Sequence, residues 1–434
     1  MSTHHRNEYL NEYLPRIADG QLTDALRTSG AVLIQGPKWC GKTATGSRAA
    51  SSIIYLQDPD QSTAYLRLAD LKPSALLEGT TPRLIDEWQM APQLWDAVRF
   101  AIDRRHARGQ FILTGSSTPA VEPAHSGVGR ITRLVMRTMS LTESLESNRA
   151  VSLNALFDGD SDIAALSNLT VDALAQSICR GGWPEAILET DPADAIQYAR
   201  NYVNGLIDSD LSRVDSVNRS SMRMRALLRS YARNIATQAT GATLRADMQE
   251  DGQTLSVNAL RPYLDLLSRA FVIEDLPAWS PSLRSRTAIR TSPTRHFTDP
   301  SIAAAILRLT PERLLLDPET FGLLFESLCV RDLRIYTGGL GGRLYHYRDR
   351  QGLEADAVIS LDDGRWRPSR SSWEVVRSTR PPPTCFVLPT EWTPRRWANP
   401  SSSWCSRALQ LHTADRTAYW WSRWGASPHD MTSR

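Results

Sequence analysis

The sequence predicts an α/β fold that opens on a parallel sheet flanked by helices, and three apolar runs carry that expectation. Ala31-Val32-Leu33-Ile34, Leu84-Ile85 and Phe111-Ile112-Leu113 are short and each is closed by polar or glycine-containing turn residues. Strands covered by helices on both faces read this way, as brief continuous apolar stretches rather than as alternating ones.

At 434 residues the chain exceeds what one core usually organises, so several domains are expected. No stretch approaches the ~20 consecutive apolar residues that span a bilayer, and Met1 to Tyr13 is polar and charged, so the expectation is a cytoplasmic protein with no membrane partner. The five cysteines (Cys40, Cys179, Cys329, Cys385, Cys405) lack the spacing of a zinc site or a disulfide framework and are expected to be free thiols. A formal charge of +3 does not by itself mark nucleic-acid binding. Of the basic residues only Lys38, Lys42 and Lys72 are lysines, and two of them fall in one motif.

That motif follows the first apolar run. Gly36-Pro37-Lys38-Trp39-Cys40-Gly41-Lys42-Thr43-Ala44 places glycines where the backbone must curl so that successive N–H groups face phosphate oxygens. Lys42 would reach the β and γ phosphates of ATP, the Thr43 hydroxyl would ligate Mg²⁺, and a helix continuing through Ala44 to Ala50 would point its positive end at the same anion. The second run ends in Asp86-Glu87, which puts one carboxylate near Mg²⁺ and a second where it can polarise the attacking water. The third ends at Thr114, a hydroxyl at the strand tip suited to holding that water and sensing the γ-phosphate.

The segments AVLIQGPKWCGKT, RLIDEWQ, FILTGSS, GRITRLVMRTMSLTES and GGWPEAI together resemble the prokaryotic AAA-type ATP-binding proteins that carry a C-terminal domain of unknown function 4143. The resemblance runs from about Tyr13 to about Trp366. It implies that Lys42, Thr43, Asp86 and Glu87 keep the family's roles, and that Arg130, with Arg133 as the other candidate, lies near the nucleotide as an arginine finger or sensor.

The expected organisation is an N-terminal segment (1–25), a P-loop ATPase domain (26–147), a helical lid or connector (148–222), a winged-helix-like domain (223–290), a partial endonuclease-like α/β domain (291–365) and an aberrant tail (366–434). Arg180-Gly181-Gly182-Trp183-Pro184-Glu185 reads as a loop entering a helix, and the spacing of Tyr198, Tyr202 and Leu206 as one apolar face. Ser256 to Leu267 followed by Phe271 to Leu276 reads as a helix leading into a β-wing, with Arg261 the one basic residue on that helix before Arg269. DNA contact there is an open expectation. In the family the last domain is a restriction-endonuclease-like core whose first two acidic positions match Glu326 and Asp356. The third position, a Glu-x-Lys pair, is absent, so nuclease activity is not expected.

From Trp366 the composition changes. Trp366, Trp373, Trp392, Trp397, Trp404, Trp420, Trp421 and Trp424 fall in this segment, out of 13 tryptophans in the chain, and strand or helix periodicity ends. It reads as translation in a shifted frame, since permitted codons over Pro368 to Trp373 yield Ile-Glu-Val-Lys-Leu in another frame. The function expected from the whole is ATP binding with Mg-dependent hydrolysis that rearranges the C-terminal domains. A DNA-processing ATPase or nuclease regulator, and a non-hydrolysing switch or interaction scaffold, stay open as alternatives. The partner beyond ATP, a second copy or another protein, is left open too.

Overall fold

The computed structural model describes residues 13–115, 127–159, 167, 169–207, 220–280, 292–349 and 354–369, with the backbone of Glu374–Val375 and Cys385–Phe386. The first domain is a five-stranded sheet of β1 (Ala31–Gln35), β2 (Ser52–Tyr55), β3 (Arg83–Asp86), β4 (Phe111–Gly115) and β5 (Ile131–Val135) in the order β2-β3-β4-β1-β5. Every pairing is parallel. All the strands therefore end at one edge, and β4 lies between the strand that leads into the glycine loop and the one that ends in Asp86. Ala31, Val32, Ile34, Leu84, Ile85, Phe111, Ile112 and Leu113 are all fully buried. Helix α1 (Ile17–Thr28) and α2 (Lys42–Ala49), with Cys40 of the loop before α2, cover one face through Ala18, Leu22 and Ala49, while α4 (Gln93–Arg105), which follows α3 (Ser62–Leu71), covers the other with Leu94, Trp95 and Val98.

Beyond the sheet, a loop through Thr138 to Glu146 leads into the short α5 (Leu153–Phe157) and then a helical region: α6 (Val171–Arg180), α7 (Pro184–Leu188), α8 (Pro192–Gly205), α9 (Ser221–Arg233), α10 (Gly241–Glu250) and α11 (Val257–Arg269). Side chains of Thr170, Ser220, Thr240 and Ser256 accept the first free backbone N–H groups of α6, α9, α10 and α11, which is why these helices begin where they do. Bridges Ile273↔Phe297 and Leu276↔Thr294 follow α11, and then come α12 (Pro300–Ile306) and α13 (Pro311–Leu315). One hydrophobic cluster runs from Leu141 through Trp183, Leu227, Leu266 and Phe297 to Cys329, so these helices share a core.

The long α14 (Pro318–Gly339) packs on a second, antiparallel sheet of β6 (Gly342–Arg348), β7 (Glu354–Leu361) and β8 (Trp366–Ser369), ordered β6-β7-β8. Here the sequence reading needs correction. Trp366 to Ser369, assigned to an out-of-frame tail, instead pairs with β7 in register, Ser360 opposite Trp366 and Ala357 opposite Ser369. The Trp366 ring packs on Trp279 with centroids 4.4 Å apart. Aromatic burial against the sheet edge supplies what the missing alternation did not announce, and a frame change at this point finds no support. The segment Pro381 to Pro383 and the tryptophans from Trp373 on lie outside the described residues. No helix among the described residues is long and apolar enough to cross a membrane.

Candidate functional site

The glycine loop joins β1 to α2 at the edge where all five strands end. Gly36 is forced by proximity, because a Cβ there would sit 2.0 Å from the Met136 carbonyl oxygen. Gly41, at φ 98°, is the left-handed residue that turns the loop into α2. Between them Trp39 is also left-handed, with its indole 52% exposed and edge-on to Tyr202. Cys40 turns inward instead, its thiol donating to the Met136 carbonyl at 3.6 Å. Of the residues expected to touch nucleotide, Cys40 thus contributes its backbone, its side chain being core. The Lys42 ammonium, 6% exposed, donates to the carbonyls of Gly36 (3.1 Å) and Pro37 (2.7 Å), so it lies folded across the mouth of its own loop. Ala44 follows in the first turn of α2.

The sheet brings the two acidic residues and the strand-tip threonine to this loop. Asp86, fully buried, accepts at one oxygen from the hydroxyls of Thr43 (2.8 Å) and Thr114 (2.6 Å) and at the other from the Gln57 amide (3.3 Å). Burial pushes its carboxyl above the ordinary value, against the pull of those hydroxyls and of Lys42. The Glu87 backbone N–H donates to Thr114 Oγ1 at 3.2 Å, and Glu87 adopts a left-handed conformation, φ 55°, that swings its side chain away from the strand line. Its carboxylate pairs with the Gln89 amide. Burial raises the Glu87 carboxyl too, opposed by Lys42, whereas Asp86 adds to the rise.

A hydroxyl and a carboxylate in contact at a helix N-terminus, beside a lysine, form the oxygen-rich donor set that a Mg²⁺-bound triphosphate requires. Thr43 and Asp86 fit the metal, and the loop amides with Lys42 fit the phosphates. No group of three His, Cys, Asp or Glu able to hold a metal by itself occurs among the described residues, Glu326 and Asp356 included.

Arg130 is not brought to this site. β5 runs parallel to β1 with Ile131 opposite Ala31 and Val135 opposite Gln35, so Arg130 precedes the strand at the far edge, roughly 16 Å from the loop at the usual strand rise. There it is exposed and paired with Asp103 at 2.9 Å. Arg133, midway along β5, lies over the Trp95 ring, also away from the phosphate edge. The arginine that the topology does place there is Arg137, just after β5. It forms a two-point pair with Glu274, Nε to Oε2 at 2.8 Å and Nη2 to Oε1 at 2.5 Å. Burial alone would raise the Glu274 carboxyl; Arg137 and Arg334 outweigh it and hold it down at about 2.

Other neighbours were not read from the sequence. Pro184 of the Gly182-Trp183-Pro184 turn lies against Gly41, with 3.5 Å between its Cγ and the position a Cβ would take. The turn is held by Asp299, which is fully buried and accepts from the Gly182 N–H (3.0 Å), the Thr138 hydroxyl (2.7 Å) and the Arg331 guanidinium (3.1 Å). Trp183 donates to Ser301 and stacks on Tyr202 with centroids 4.4 Å apart, and Tyr202 in turn meets Trp39. The phosphate loop is therefore in contact with residues far along the chain.

A family described as AAA domain matches residues 28–145. A second, described as Domain of unknown function (DUF8612), matches residues 171–313. That match replaces the domain of unknown function 4143 expected from the sequence, and it falls on the helical region with the shared core. Uncharacterized proteins of Mycobacterium bovis and Mycobacterium tuberculosis are each 25% identical over 376 residues, covering 84% of this chain and 74% of theirs. Among solved structures, a Walker-type ATPase of Pyrococcus abyssi aligns with a TM-score of 0.43 at 13% identity, over 69% of this chain and 97% of that one. A replication initiator DnaA bound to AMPPCP and single-stranded DNA aligns with a TM-score of 0.30 at 11% identity, over 60% and 92%. Residues 28–145 thus combine a match to the AAA-domain family with a glycine loop and acidic strand end in P-loop order.

Proposed function

We propose that the protein binds Mg-ATP at the 36–44 loop and hydrolyses it, and that the nucleotide state is passed to the helical region. The observation that carries this is the contact set around Asp86: Thr43 from the loop helix and Thr114 from the intervening strand donate to one carboxylate oxygen, and the same Thr114 hydroxyl accepts the backbone N–H of Glu87. In this reading Thr43 and Asp86 hold Mg²⁺, which neutralises the developing phosphate charge. Glu87 accepts a proton from the attacking water, and Thr114 fixes Glu87 through its backbone N–H. Lys42 leaves the carbonyls of Gly36 and Pro37 for phosphate oxygens, so nucleotide replaces contacts that the loop otherwise makes with itself.

Coupling to the rest of the chain is supported by the position of the contacts that would feel this change. Pro184 rests on Gly41, Tyr202 on Trp39, and Arg137 at the phosphate edge pairs with Glu274 beyond α11. The buried cysteines Cys40, Cys179 and Cys329 form no disulfide, which suits the reducing cytoplasm. DNA contact by α11 is less well supported, because exposed Arg261 faces Asp265 one turn on (3.9 Å) and Asp275 lines the same groove. These carboxylates oppose the phosphate attraction on which such binding depends.

Calorimetric titration of Mg-ATP into the wild-type protein and Lys42→Ala, with phosphate release measured in parallel, tests the proposal. Wild-type binding that Lys42→Ala abolishes is the expected outcome. Equal affinity and turnover in the two proteins would dismiss the site.

A further inference from the structure

Arg16 lies before the residues that the AAA-domain match covers, yet its side chain is among the most deeply buried charges near the loop, 7% exposed. It precedes α1, and its guanidinium is used on three sides. Nη1 donates to the Cys40 carbonyl at 2.9 Å, Nη2 to the Arg137 carbonyl at 2.8 Å, and Nε faces the Glu143 carboxylate at 3.2 Å. Glu143 is itself held by the N–H groups of Ile17 and Ser140, both at 2.8 Å. The fork is therefore fixed by a buried anion and aimed at two backbone oxygens, one in the phosphate loop and one at the end of β5.

The contact with Cys40 has a consequence set by peptide geometry. In a trans peptide the C=O of one residue and the N–H of the next point in opposite directions. Cys40 O is held by Arg16, so the Gly41 N–H is turned to the opposite side of that peptide. Gly41 is the left-handed residue at the N-terminus of α2, where nothing in its own side chain restrains that peptide. The contact with Arg137 ties the same guanidinium to the segment whose side chain reaches Glu274.

We infer that Arg16 is a positioning residue for nucleotide binding: it holds the Cys40–Gly41 peptide with its N–H presented to the phosphates and sets the spacing between the loop and the β5 exit. This rests on the nucleotide-binding reading above. Lysine at this position keeps a cation for Glu143, but its single ammonium has no planar fork to span two carbonyls and a carboxylate together. Preorganisation serves ground state and transition state alike, so its loss appears in affinity rather than in the rate at saturation.

The test compares Arg16→Lys with Glu143→Gln by Mg-ATP titration, steady-state turnover and thermal unfolding. Arg16→Lys is expected to bind Mg-ATP about tenfold more weakly, the worth of roughly one hydrogen bond, with turnover at saturation within about threefold of wild type. Glu143→Gln loses the ion pair but leaves both carbonyl contacts of the guanidinium in place, so it is expected to lose stability and to bind nucleotide within about threefold of wild type. Should Arg16→Lys not fold, Arg16→Met combined with Glu143→Met, which removes both buried charges together, carries the same test. Wild-type affinity in Arg16→Lys, or affinity losses in the two variants that merely follow their losses of stability, would overturn the assignment. A wild-type protein that binds no Mg-ATP would remove the reading beneath it, an outcome distinguishable because it needs no variant.

Discussion

Replacing Thr114 by valine changes one hydroxyl into a methyl at nearly constant volume, and at this position that hydroxyl makes two different contacts. It donates to Asp86 at 2.6 Å and accepts from the Glu87 N–H at 3.2 Å, with Thr114 and Asp86 both fully buried. The first is a charge-assisted bond, worth about 1.5–3 kcal/mol, and Asp86 would keep Thr43 and Gln57 as partners. The second loss leaves a backbone N–H without its acceptor at a residue already in the left-handed region, a conformation that costs a non-glycine residue about 1–2 kcal/mol to maintain. The carboxylate of Glu87 then loses the anchor that sets its direction. If about 2 kcal/mol of the transition-state stabilisation depends on that direction, turnover falls roughly 30-fold. Binding should change little, since the loop and Lys42 are untouched. Phosphate release under saturating Mg-ATP, with calorimetric affinity as the companion measurement, reads the two effects apart. Turnover within twofold of wild type would refute the view that Thr114 positions Glu87.

Glu87→Gln should bind Mg-ATP normally and lose turnover by about 10²-fold or more, because the amide keeps the shape but cannot take a proton; single-turnover phosphate release measures it. Asp299→Asn removes one of the two carboxylates on buried Arg331, which keeps Asp332 at 2.7 Å, and is expected to cost about 1.5–3 kcal/mol, the worth of a hydrogen bond to a charged group, read from denaturant unfolding. Acid should destabilise the fold in two stages followed by circular dichroism. His296 and His346 are held below the ordinary histidine value, mainly by burial, so the stability they contribute is present above about pH 6.5 and declines as pH falls below it. Glu274, depressed to about 2, adds stability above its unfolded value that is lost between about pH 4.5 and pH 2. A flat unfolding midpoint from pH 7 to pH 3 would contradict both assignments.

Much of the first domain could be read from residue order because its signals are local. The strands β1, β3 and β4 are compact apolar runs, and each functional residue at their ends follows directly: Gly36 after β1, Asp86 and Glu87 at the end of β3, Thr114 near the end of β4. The later chain was harder for a physical reason. Its helices share one core from Leu141 to Cys329, so the division at 222 and 223 was drawn through residues whose packing partners lie far off in sequence. Trp366 to Ser369 misled in another way. A four-residue edge strand with arginine and proline shows no alternation, and its place is decided by pairing with β7 and by Trp279, neither of which local composition reports.

Position relative to β5 decides which arginine around that strand reaches the phosphate edge. The segment from Gly129 to Arg137 carries arginines at 130, 133 and 137, and composition ranks them equally. Topology does not, because in a parallel sheet every strand delivers only its C-terminal end to the phosphate edge. An arginine before the strand is excluded by the strand's own length, and one after it is admitted. Applied to the sequence with β5 taken as Ile131 to Val135, that rule discards Arg130 and selects Arg137, whose backbone oxygen and guanidinium are both engaged at that edge. Long-range partners such as Glu274 and Asp299 escape even this rule, since nothing near Gly36 or Gly182 in sequence specifies them. What they add is connection: a loop that would reorganise around phosphate is in contact with groups from residues 184, 202 and, through Arg137, 274. A phosphate-driven shift of that loop therefore has to move those groups or break their contacts, among them the two-point Arg137–Glu274 pair.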